Sequence, residues 1–119
     1  MSTDMANRML ALRPMRDLLA RLPTLPLTGE QDIDYAAADP ALLVAIAEDA
    51  EILIDTMHNG VGAIGQLLAN SAVMVEDGTI SADCLEALGF LMAELGDMAA
   101  SCMALAAHCR RETADYNPS

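Results

Sequence analysis

A chain of 119 residues has room for one domain. It is 54% apolar, yet Phe90, Tyr35 and Tyr116 are its only Phe, Tyr or Trp residues, so the core must be built from Leu, Ile, Val, Ala and nine Met, which suits close-packed helices and argues against a β-sandwich. The formal charge of −12, with no Lys at all, disfavours phosphate or nucleic-acid binding by the main body, because that affinity rests on Lys and Arg displacing counterions.

The first element is an amphipathic stretch over residues 5–22, with Met9, Leu12, Met15, Leu18 and Leu22 at helical spacing and Arg8, Arg13, Arg16 and Arg21 largely opposite. Pro14 divides it, so the dependable helix is residues 14–22 with Pro in its first turn. It is expected to pack against the protein's own acidic body. Pro23 and Pro26 then open a linker carrying Glu30, Asp32 and Asp34. Asp32-Ile33-Asp34 begins like a calcium loop but lacks the third oxygen ligand, the central Gly and the closing Glu.

Asp39 followed by Pro40 is a helix start: a carboxylate able to cap free amides, then a residue with no amide to satisfy. From there Leu43, Ala47, Ala50, Ile54, Met57, Val61, Ile64, Leu68, Ala72 and Val75 recur at steps of three and four, predicting one helix over residues 41–75. The stripe keeps phase through Gly60, Gly62 and Gly65, though each costs about 1 kcal/mol relative to Ala. Asp77-Gly78 supplies the stop. Ser81 caps a second long helix over residues 82–111. Its seam is Leu85, Leu88, Met92, Leu95, Ala99, Cys102, Ala106 and Cys109. A second face holds the small residues Gly89, Ala93, Gly96, Ala100 and Ala107 with Met103. Arg110 and Arg111 complement the dipole at its end.

The expected organisation is an arm with a short helix and an acidic linker (1–38), a long antiparallel helical hairpin (39–112) and a flexible tail (113–119). The fold class is all-α. Two helices carry more apolar surface than one hairpin can hide, so self-association into a dimeric four-helix bundle is expected. Acids interrupt every candidate apolar span and no apolar leader opens the chain, so no membrane partner is expected and the cytoplasm is the expected location.

Cys84, Cys102 and Cys109 follow no framework or metal-site spacing and are expected as reduced core residues. Gly60-Val61-Gly62-Ala63-Ile64-Gly65 matches GxGxxG, but Thr56 to Asn59 separate it from any strand and no later strands follow. Residues 59–68 also resemble the hairpin of the helix-hairpin-helix DNA-binding motif, yet the flanking acids would repel phosphate. No cofactor or metal is expected.

Two carboxylate pairs at i, i+3 remain, Glu48/Glu51 and Glu94/Asp97, each on one helix face. Glu94-Leu95-Gly96-Asp97 resembles the second half of the ExxE…ExxD arrangement of the all-α nucleotide pyrophosphohydrolases (MazG-like). That resemblance implies Mg²⁺-dependent cleavage of a nucleoside triphosphate by carboxylates on facing helices, and stands as the alternative. The leading expectation is a non-enzymatic, acidic protein–protein interaction module, because the four acids lie off the apolar seam. Glu48, Glu51, Asp55, Glu94 and Asp97 are its candidate partner-binding residues, the partner a basic protein and direct nucleic-acid contact excluded. An inhibitor covering a nucleic-acid-binding surface, in the manner of phage anti-defence (anti-CRISPR-like) proteins, is its concrete form.

Overall fold

A computed structural model of the chain describes residues 13–117. It is all-helical, with no strand among those residues. The expected helical region over residues 5–12, with Arg8, lies outside them.

Helix α1 spans Pro14–Arg21, with Pro in its first turn as the sequence requires. A 3₁₀ turn at Leu22–Thr24 ends it, closed by the Thr24 hydroxyl donating to the Arg21 carbonyl at 2.6 Å. The linker is ordered by its own polar groups. Leu27 and Ile33 pair in an isolated antiparallel bridge around a tight turn. Thr28 N donates to the Asp32 carbonyl at 2.7 Å, and Gln31 takes φ +71° to close the turn. The Asp34 carboxylate accepts from Ala37 N and starts a second 3₁₀ turn, Tyr35–Ala37.

Helix α2, Pro40–Ala69, begins where Asp39 accepts from Ala41 N at 3.1 Å, and it runs unbroken through all three glycines. It stops earlier than its apolar phase predicts. Asn70 Nδ2 donates to the Gln66 carbonyl and Ser71 Oγ to the Leu68 carbonyl, each at 2.9 Å. Those side chains take over acceptors at the helix end, the competition that makes Asn and Ser poor helix interiors. The remaining apolar residues form a separate short helix, α3, Ala72–Glu76. Gly78, at φ +82°, turns the chain in the left-handed region, and Thr79 N donates to Asp77 Oδ1. Helix α4, Ala82–Glu112, opens with Ser81 accepting from Cys84 N at 3.1 Å.

Thr113 continues the seam of Ala106 and Cys109, is buried, and donates its hydroxyl to the Cys109 carbonyl at 2.8 Å.

The core lies at one end of the molecule. Leu43, Ile46, Ala47, Ala50, Leu53 and Met57 of α2 meet Cys102, Ala106 and Cys109 of α4, with Leu18 of α1, Leu25 and Ala38 closing over them. Ala41 and Val44, early in α2, share a depression with Arg110 and Thr113 late in α4. Ile64 and Leu68, late in α2, share another with Leu88 early in α4. Cys102 and Cys109 are core residues as expected, and burial pushes both thiols up from the ordinary range. Cys84 is exposed instead.

Candidate interaction surface

The five predicted acids do not converge. Glu51, on α2, is held by Arg110, on α4, through two hydrogen bonds: Nε to Oε2 at 3.1 Å and Nη2 to Oε1 at 2.7 Å. That contact holds the Glu51 carboxyl below the ordinary range, despite some opposing desolvation. Glu48 adds its field to Arg110, and Asp55 is exposed one turn further along α2. Glu94 and Asp97 are exposed on α4. At 100° per residue, Glu94 lies about 160° around α4 from Arg110 and about 24 Å along it, and Asp97 about 140° around. The facing pairs that the pyrophosphohydrolase resemblance implies are not assembled. Among the described residues no group of three or more His, Cys, Asp or Glu is placed to hold a metal.

A second ion pair crosses from α1 to α2: Arg21 Nη1 donates to Asp49 Oδ2, which is buried. Both pairs sit at the core end. Near them Tyr35 stacks on His108, ring centroids 5.0 Å apart. Burial of Tyr35 raises its phenol above the ordinary range, helped by the field of Cys109.

One stripe of α2 explains what the rest of the surface is. Ile46, Asp49, Leu53, Met57, Gly60, Ile64 and Leu67 follow at steps of three and four and so share a face. Its first half lies under α1: Leu18 is buried there, with Met15 and Leu22 packed alongside. Along its second half Gly60 is exposed, Ile64 half-buried and Leu67 72% exposed. Elsewhere on the surface Val73 is 74% and Phe90 67% exposed, with Met74, Leu91, Met98 and Met103 also open.

Three depressions mark this open end. One, about 340 Å³, is lined by Ile64, Leu67, Leu68, Met74, Ile80 and Leu88, with Ser71 its single polar residue. A smaller one, about 240 Å³, lies between Asp83, Glu86, Ala87 and Phe90. The third, about 280 Å³, sets Met57, Met92 and Met103 with His58 at its edge. Asp83, Glu86 and Phe90 follow at steps of three and four and so share one face of α4.

The small-residue face of α4 has a different character. Gly89, Ala93, Gly96, Ala100 and Ala107 are exposed, and a Cβ added to Gly89 or Gly96 meets no atom within 4 Å. Among the described residues no neighbour requires a glycine at either position. The region of α4 between these residues and the core seam carries no carboxylate.

Among the described residues α4 is also long and apolar enough to cross a membrane, with mean hydropathy 1.4 over 18 residues. Comparison with known proteins gives no match to a family, to a curated protein or to a solved structure.

Proposed function

We propose that the protein is a small, non-enzymatic interaction module that engages a basic surface of another protein and blocks what that surface otherwise binds. The observation that carries this reading is the division of charge. Arg21 and Arg110 are tied to Asp49 and Glu51 at the core end, while fourteen acids and no Lys or Arg occupy the chain between those two arginines. An apolar surface ringed by one sign of charge selects partners of the other sign and speeds their encounter. A bilayer fits α4 less well. Glu94 and Asp97 both fall inside every 18-residue window of α4 that has no more than two charges, and each costs about 2.5–3.5 kcal/mol near a bilayer centre.

In this reading α2 and α4 form an antiparallel hairpin, and two copies pair through the small-residue faces of α4 into a four-helix bundle. That face holds no carboxylate of its own, and small residues let helix axes approach closely. The acids Glu48, Asp55, Glu94 and Asp97 stay outward, and Glu51 is shared with Arg110.

The test is retention of basic proteins from the source cell on immobilised protein. Retention should fall as salt rises and should be lost when Glu48, Asp55, Glu94 and Asp97 are changed together to their amides. Retention of proteins without basic character, or indifference to the four changes, overturns the reading.

A further inference from the structure

We infer that α4 pairs with α4 of a second copy running the opposite way, along a line of Gly and Ala whose two ends carry opposite charges. This rests on the self-association proposed above and gives it a direction and a register.

Gly89, Ala93, Gly96, Ala100, Ala104 and Ala107 follow at steps of three and four and lie within about 45° of one line along α4. All six are exposed. The line runs about 150° around the helix from Cys102, Ala106 and Cys109, which meet α2, so α2 does not cover it. The same steps reach Glu86 before Gly89 and Arg111 after Ala107, and both of these are exposed. Glu86 and Arg111 stand about 38 Å apart along the helix. No charged residue lies on the line between them, and Asp97 stands about 55° to one side, at its solvent edge.

Two further observations ask for a neighbour on α4. Of its apolar 18-residue window only 11% is buried within the chain. Gly89 and Gly96 weaken the helix, yet an added Cβ at either meets nothing within 4 Å. A second helix lying close against them supplies the reason, because side chains no larger than Ala let two axes approach.

Charge selects the occupant and its direction. An antiparallel copy brings Arg111 of each chain level with Glu86 of the other, at both ends of the contact at once, and sets Ala93 against Ala104. A parallel copy sets Glu86 on Glu86 and Arg111 on Arg111. A uniformly basic helix matches Glu86 but meets Arg111 with its own sign.

The experiment measures self-association of the full-length protein by sedimentation at low ionic strength, for the parent, Glu86→Arg, Arg111→Glu and the two changes combined. The parent is expected as a dimer. Each single change sets like charges together at both ends and should weaken the dimer about tenfold, and the combination should restore it. Added salt should narrow these differences. Both changes also oppose the α4 dipole, so a general loss of helix would deepen in the combined variant, and circular dichroism follows helix content directly. Single changes that leave dimerisation as in the parent, or a combined variant that pairs no better than either, overturn the antiparallel pairing, while a dimeric parent still keeps the small-residue contact. A parent that stays monomeric at every concentration overturns both. Retention of basic proteins does not use this face, so the interaction reading stands or falls by its own test.

Discussion

Arg110 grips Glu51 side-on across 59 residues of sequence, with both carboxylate oxygens engaged. Each side chain is a little under half exposed, so water and salt screen the pair. Its contribution to folding is about 0.5–1 kcal/mol. Because the folded Glu51 carboxyl titrates below its unfolded value, that contribution is complete above about pH 4.3 and disappears as pH falls through the lower folded value. Urea midpoints measured against pH should therefore show a shallower acid decline in Glu51→Gln than in the parent.

The Arg21–Asp49 pair should behave differently, because Asp49 is buried and Arg21 only partly so. Arg21→Ala strands a carboxylate in the core and should cost about 3–5 kcal/mol. Asp49→Ala leaves an arginine able to turn towards solvent and should cost less. Chemical denaturation of the two variants and their double mutant measures this asymmetry; equal losses would refute it.

Gly89→Ala and Gly96→Ala should each raise the intrinsic stability of α4 by about 0.8–1 kcal/mol, since the added methyl meets nothing within the chain. Gly89→Leu and Gly96→Leu should instead drive sedimentation towards the single subunit, with helix content preserved. A parent that sediments as a monomer at every concentration removes the proposed bundle.

A thiol reagent should find one fast site in the native protein. Cys84 is open, whereas Cys102 and Cys109 are buried and hold their protons more tightly than free thiols. All three should react in urea. Rapid labelling of two or three native thiols would contradict the seam assigned to α4.

Much of the architecture was legible because helix ends are written locally. Asp39 before Pro40, Ser81 three residues before Cys84, and Gly78 after Asp77 each act through atoms within a few residues. The seam through Cys102, Ala106 and Cys109 followed from spacing alone. The break at Asn70 was missed because apolar phase continues to Val75, while the hydrogen bonds that end the helix come from Asn70 and Ser71. The ion pairs were missed for another reason. Arg21 reaches Asp49 over 28 residues and Arg110 reaches Glu51 over 59, and no periodicity encodes such a meeting. Glu51 therefore read as a free acid when part of its charge is already answered. The half-covered stripe was equally hidden, since its sequence pattern is the same under α1 as beyond it.

The Arg110–Glu51 pair ties α2 to α4 beside the buried core, and the Arg21–Asp49 pair ties α1 to α2 close by. The closed end, where Ile46, Ala47 and Cys109 admit no solvent, should keep its amide protons longest. Towards Ala69 and Ala82 the helices are held by few buried contacts, so deuterium should enter there first. Under the proposed function, a partner that binds there should slow exchange at those ends well before it changes exchange in the core.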